Sequence, residues 1–243
     1  MIKMFIGSSS NGEDKKIEAA YEYSLRQNTN EELDITWMRQ TPIEEDFWYH
    51  ENTEKWSTPF SGYRWFIPEY CNFQGRAIYT DCDMINFRDI NDLYNIDLEG
   101  RPIAARRGKR FGGHEFCVMV IDNAKMERHS IPVSRQKSIS EYHHRMIHKF
   151  SGNDELVQEL DPRWNCLDGE EYPIDEIWQL HYTNMATQPW RPEWYVGPTN
   201  EHPRDDIVKV FHDKLDEALE DNPLCLYQPD SNQQIQDYGI IGQ

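Results

Sequence analysis

The sequence predicts an α/β fold with a mixed, mostly parallel sheet flanked by helices, and three observations carry that expectation. Ile2, Met4 and Ile6 alternate and run into the small-residue turn Gly7-Ser8-Ser9-Ser10-Asn11-Gly12, a strand ending in a turn. Residues 13–28 then place Ile17, Ala20, Tyr21, Ser24 and Leu25 on one helical face, and Leu33, Ile35 and Trp37 alternate again. Residues 116–121 (FCVMVI) form a continuous apolar run, the pattern of a strand covered on both faces. Strand, helix and strand in that order open a parallel sheet.

The remaining elements follow from local chemistry. Residues 41–60 are aromatic, acidic and interrupted by Pro42 and Pro59, and read as an irregular insert. Residues 61–70 read as a helix whose last turn is disturbed by Pro68. A short strand over 76–80 runs into Asp81-Cys82-Asp83, and a short helix over 89–94 has Asp89 at its cap. Residues 139–149 and 154–160 read as helices, and 177–182 as a strand. Pro189, Pro192, Pro198 and Pro203 mark a long irregular connection. The clearest helix spans 205–220, with Val208, Phe211, Leu215, Ala218 and Leu219 on one face. Neither a repeat nor a linker divides the chain, so we expect one domain over 1–222 and a polar tail over 223–243.

Composition narrows the function classes. The 243 residues carry a formal net charge of -18, from 25 Lys+Arg against 43 Asp+Glu, which disfavours nucleic acid and anionic membranes as partners. With 8 Trp, 13 Tyr and 10 Phe the chain has the means to build a core and is not a disordered acidic segment. No apolar run approaches the roughly 20 residues of a transmembrane span, and the first residues read as a strand rather than a leader. The five cysteines (71, 82, 117, 166 and 225) lack any CxxC spacing, which fits free thiols in a reducing, cytoplasmic setting.

Asp81 and Asp83 are the central pair. Two carboxylates directly after a strand sit where parallel sheets open into a ligand crevice, and can converge on a hard divalent cation. An acidic turn is the plain alternative in so acidic a chain. Cys82 reads as a small neutral spacer, and Gly7-Ser8-Ser9 as a turn that admits a nucleotide close to the backbone. Residues 101–110 (RPIAARRGKR) hold five basic residues and read either as a solvated loop or as a mobile basic loop facing an anionic ligand. His143, His144 and His148 lack the glutamate of a zinc-protease helix and read as a solvated face. Trp48, Trp56, Trp190 and Trp194 could stack on sugars or fill the core.

In order along residues 61–94 come Arg64, a strand ending in Asp81-Cys82-Asp83, and Asp89-Ile90 followed by Leu93. Further on lie Asp154-Glu155 through Trp164-Asn165, and then His181-Tyr182 running to Gln188-Pro189-Trp190. This series resembles the retaining GT-A glycosyltransferases, closest to the glycogenin and lipopolysaccharide galactosyltransferase family (family 8-like), over most of residues 1–195. The resemblance implies a GT-A fold (nucleotide-diphospho-sugar transferase, Rossmann-like). It also implies transfer of a hexose from a nucleotide-sugar, UDP-hexose, to a carbohydrate or other hydroxyl acceptor, with retention of configuration. It assigns Mn²⁺ or Mg²⁺ to Asp81, Asp83 and His181, and the reacting sugar to Asp154 and Glu155. The donor falls to Gly7, Ser8, Ser9, Arg64, Asp81, Cys82, Asp83, Gln188 and Trp190. The chain departs from the family pattern where Asn184 replaces a glycine, Gln188 replaces a lysine, and Glu115-Phe116-Cys117 stands in place of N-x-G. Two other classes fit part of the series. One is a nucleotide-sugar-binding module without transfer. The other is a sugar nucleotidyltransferase, although Gly7 to Asp14 lack that class's basic glycine-rich loop.

Overall fold

The computed structural model of the chain describes residues 1–51, 53–108, 112–192 and 195–226. The first half of these forms β1 (Ile2–Gly7), α1 (Lys15–Gln27), β2 (Leu33–Met38), α2 (Ile67–Tyr70), β3 (Arg76–Asp81), β4 (Met84–Asn86), α3 (Ile90–Tyr94) and β5 (Ile103–Arg107). The second half forms β6 (His114–Asp122), α4 (Asn123–Met126), α5 (Val133–Lys137), α6 (Tyr142–Phe150), β7 (Val157–Glu159), β8 (Cys166–Leu167), β9 (Gln179–His181) and α7 (Asp205–Asp221).

The larger sheet has the order β2-β1-β3-β6-β5-β7. β1 lies parallel to both β2 and β3, and β5 parallel to β7, while β6 runs against its neighbours β3 and β5. This is the mixed, mostly parallel α/β sheet that the sequence predicts. A smaller sheet orders β4-β9-β8 and hangs from the end of β3. The run at 116–121 is apolar throughout because β6 is central. Phe116, Met119 and Ile121 join the aromatic cluster on one face, and Val118 and Val120 join the cluster beneath α1 on the other. On α7 the buried stripe is Ile207, Phe211, Leu215 and Ala218, which packs with α1 and Trp190. Val208 and Leu219 are half-buried at its border, so the stripe is turned slightly from the one the sequence predicts. Among the described residues no helix is long and apolar enough to cross a membrane.

Four elements differ from the sequence reading. Residues 61–70 break into a 3-10 turn, Tyr63–Trp65, and α2, with Pro68 in the first turn of α2, where its missing N–H has no intrahelical partner to lose. Residues 139–141 precede the helix α6, which starts at Tyr142. Residues 154–160 form a turn and the strand β7 rather than a helix, because β5 offers an unpaired edge that Val157–Glu159 fill. Residues 103–107 are no loop but β5 itself, with Ile103, Ala104, Ala105 and Arg106 all buried. Lys109 and Arg110, Trp194, and residues 227–243 of the expected tail lie outside the described residues.

Candidate active site

The site is built at the C-terminal end of β3. Parallel pairing sets Gly7 of β1 directly beside Asp81, and a Cβ on Gly7 would lie 2.5 Å from Phe60 Cδ2 and 3.0 Å from the Tyr79 hydroxyl. Tyr79 is two residues before Asp81 and so on the same face of the strand, and its hydroxyl donates to Asp81 Oδ1. Arg64 Nη2 donates to the same oxygen at 3.3 Å, while its Nε bonds the Ser61 carbonyl and Nη1 the Phe116 carbonyl. The guanidinium lies over the Tyr79 ring, 4.5 Å from its centroid. Arg64 is therefore a buried clamp on Asp81 rather than a surface cation.

The turn after Asp81 feeds β4, and antiparallel pairing of Met84 with His181 brings β9 alongside. The Tyr182 amide donates to the Asp83 carbonyl at 2.9 Å, which locks the two turns together. His181 Nε2 then lies 3.2 Å from Asp83 Oδ1, and Nδ1 lies 2.8 Å from Asn165 Oδ1. Burial pulls the imidazole toward its neutral form, but the Asp83, Asp81 and Asp168 carboxylates outweigh it and hold the His181 pKa above its ordinary value. Asp83 Oδ1 is buried and makes no hydrogen bond of good geometry among the described residues. From β6, Cys117 completes a group in which one ligand atom each of Asp81, Cys117 and His181 lie within 4.8 Å of one another.

Around this centre the structure redistributes the expected donor residues. Gln188 Nε2 donates to Asp83 Oδ2 at 3.3 Å and to the Tyr182 carbonyl at 2.8 Å, and its Oε1 accepts from Arg191 Nη2. Both of its N–H groups are engaged within the protein, so Gln188 links a carboxylate to a cation. The Arg191 side chain is 6% exposed, its Nη1 lies 3.4 Å from both Glu13 and Asp14, and its buried Nε has no hydrogen-bond partner among the described residues. Trp190 is a correction to the sequence reading. It is 1% exposed, packs on Tyr182 and Phe211, and donates its indole N–H to Asp14 at 3.0 Å, so its ring cannot face a sugar. Burial then raises the Asp14 carboxyl to about 6, despite the Trp190 bond and Arg191, which lower it. Trp48 is likewise core.

Ser8 and Ser9 are buried and turn their hydroxyls back toward Glu18 and Glu13, so neither hydroxyl is presented to a ligand. The Cys82 side chain faces the cluster beneath α1, and burial pushes its thiol well up, so only its backbone belongs to the site. Asp154 and Glu155 are not brought into the cluster. Both are exposed at the outer edge of the large sheet, with the Asp154 carboxylate 2.5 Å from Arg107 Nη2 and its carbonyl bonded by Arg101. His143 is buried and accepts from the Trp65 indole, correcting the solvated face expected of it.

Three site residues escape the sequence reading, Tyr79, Cys117 and Arg191, and a fourth, Asn165, enters it only within the resembling series and not as the partner of His181. Tyr79 is signalled by the two-residue period of a strand, and Arg191 by a cation three positions past Gln188. Asn165 and Cys117 come from strands and turns remote in sequence, and only the sheet register places them.

No family model matches the chain. Its curated relatives include the glycosyltransferase GlyA of Streptococcus pneumoniae serotype 4, 23% identical over 158 residues, or 54% of this chain and 23% of GlyA. Protein CDI of Arabidopsis thaliana is 23% identical over 206 residues, covering 75% of this chain and 79% of that protein. Among solved structures, the apo glycosyltransferase GlyE of S. pneumoniae TIGR4 superposes with a TM-score of 0.62 at 19% identity, over 98% of this chain and 63% of GlyE. The galactosyltransferase LgtC, in complex with donor and acceptor sugar analogs, gives 0.59 at 12% identity over 97% and 100%. The chain thus spans under a quarter of GlyA and under two thirds of GlyE. The fold is that of the GT-A glycosyltransferases.

Proposed function

We propose that the chain is a metal-dependent glycosyltransferase that moves a hexose from a nucleotide-sugar, a UDP-hexose, to a hydroxyl acceptor with retention of configuration. The observation that carries this reading is the pair Asp83 Oδ1 and His181 Nε2. An Nδ1–H given to Asn165 leaves Nε2 with its lone pair, so two acceptors face each other across 3.2 Å. Such an arrangement is favourable only with a proton or a cation between the two. Asp81, Asp83 and His181 would hold Mn²⁺ or Mg²⁺, which supplies neutralisation of the charge that grows on a departing diphosphate.

The protein groups have separate tasks in this reading. Asn165 fixes the imidazole tautomer and Arg64 with Tyr79 fixes the Asp81 carboxylate. Gly7 lets Phe60 and the Tyr79 hydroxyl pack close against the strand end beside Asp81, and Arg191 offers its Nε, which has no partner among the described residues, to the diphosphate in place of a lysine at 188. Asp154 and Glu155 enter as carboxylates that stabilise positive charge at the anomeric carbon, which requires Asp154 to give up Arg107 as its partner. Their exposure favours one second reading, a nucleotide-sugar-binding module without transfer.

Thermal denaturation against a panel of nucleotide-sugars, with and without Mn²⁺, tests the proposal. We expect one donor to stabilise the wild-type protein only when metal is present, with release of the sugar to water or an acceptor. Asp83→Ala should abolish both effects; donor turnover unchanged in that variant, with the same metal requirement, would overturn the assignment. Metal-dependent UDP binding in calorimetry without turnover on any donor, and without loss in Asp154→Asn and Glu155→Gln, would favour the binding module.

A further inference from the structure

Cys117 lies on β6 next to Val118, which registers with Thr80, the residue before Asp81 on β3. That pairing brings the two segments together at the end of β3, where Cys117 Sγ, an Asp81 oxygen and a His181 nitrogen lie within 4.8 Å of one another. Cys117 is half-buried, whereas Cys71, Cys82 and Cys166 are buried elsewhere. His181 is 4% exposed and held by Asn165 with its second nitrogen aimed at the carboxylates. The grouping is thus a mixed oxygen, nitrogen and sulfur set, with one member fixed from behind.

Ligand softness separates the ions that such a set can hold. Mg²⁺ and Mn²⁺ bind through oxygen and imidazole and leave a thiol protonated, whereas Zn²⁺, Co²⁺ and Cd²⁺ gain from thiolate. We propose that Cys117 is a further ligand of this site, so that Asp81, His181 and Cys117 together take a thiophilic divalent ion of the zinc class. This rests on the metal reading above and deepens it. The step is a ligand exchange without redox: the metal–sulfur bond forms, the S–H bond breaks, and the proton passes to buffer. Mg²⁺ at the same carboxylates releases no such proton.

Co²⁺ alone is the probe, added to the full chain carrying Cys225→Ser to remove the other half-exposed thiol. We expect a thiolate-to-cobalt charge-transfer band in the near ultraviolet. Calorimetry in buffers of different ionisation enthalpy should show one more proton released with Co²⁺ than with Mg²⁺. Adding Cys117→Ser should abolish the band and the extra proton while Co²⁺ and Mg²⁺ still bind; Cys117→Ala, checked by circular dichroism, serves where serine disturbs folding. Co²⁺ bound with the same spectrum and proton count in both proteins would overturn the role of Cys117 and leave the carboxylate site standing. No Co²⁺ or Mg²⁺ bound by either protein would overturn the metal reading and this inference with it.

Discussion

Arg191 shows how a single residue changes the reading of its neighbours. A glutamine at 188 adds no charge to an anion site, and by sequence that position is a loss. In the structure Gln188 spans Asp83 and Arg191, so the positive charge sits three residues later on a side chain whose Nε is buried without a partner among the described residues. Hydrogen bonds to charged groups contribute roughly 1.5–3 kcal/mol, about ten- to a hundredfold in Kd. Arg191→Met should weaken UDP binding in calorimetry by that factor, and Arg191→Lys by less. Equal affinity in Arg191→Met would place the diphosphate elsewhere. At this scale the Asp81 and Asp83 pair is legible because a strand end and a two-residue spacing sit within one local pattern, whereas His181 enters only through the family resemblance. Cys117 and Asn165 are not legible, since each owes its place to pairing between separate strands, Cys117 on β6 against β3 and Asn165 beside β8, which pairs with β9. Trp190 misled because an aromatic residue carries the same sequence signal whether it meets a sugar or, as here, Phe211 and Tyr182.

Elements were legible where their own period decided them and were misread where a neighbour did. β1, α1 and β2 follow their patterns in sequence. β5 does not, because its arginines suggested solvent. Arg106 is 1% exposed yet donates to Glu170 through both terminal nitrogens at 2.9 Å, and sheet burial holds wherever a carboxylate is supplied. α6 carries a related lesson with a measurable consequence. Its His143 is packed under Trp56 and Trp65, and burial, with Arg64 and His144 nearby, lowers its pKa to about 3. A histidine that protonates more readily unfolded than folded contributes stability above its unfolded pKa near 6.5, and that stability drains away as pH falls. Between pH 7 and pH 5 the loss should be about 2 kcal/mol from this residue alone. His143→Asn keeps an acceptor for the Trp65 indole, so urea denaturation at the two pH values should show a drop smaller by about that amount. The same drop in both proteins would show that His143 titrates as freely folded as unfolded.

The whole molecule carries a formal charge of -18, and its described arginines near the site are already engaged by acids. Arg39 meets Glu18, Arg64 meets Asp81, Arg106 meets Glu170 and Glu115, and Arg107 meets Asp154 and Glu159. The basic run at 101–107 therefore serves the sheet's own carboxylates and leaves an anionic ligand to face a negative field. Two separate effects of cations follow. Any salt screens the self-repulsion of the chain, with a Debye length of about 10 Å at 0.1 M, and stabilises it without regard to the site. A divalent ion held at Asp81, Asp83 and His181 adds a specific term that grows as the logarithm of its concentration, about 2.7 kcal/mol at one hundred times Kd. Mn²⁺ should accordingly raise the Tm above that in sodium chloride of matched ionic strength, with the excess still climbing after the screening part has saturated, and chelation should return it to the sodium chloride value. Asp83→Asn should keep the screening part and lose the excess. If wild type and variant respond to Mn²⁺ alike, the negative field draws cations only diffusely, and charge at the site has to come from Arg191 and Arg64 alone.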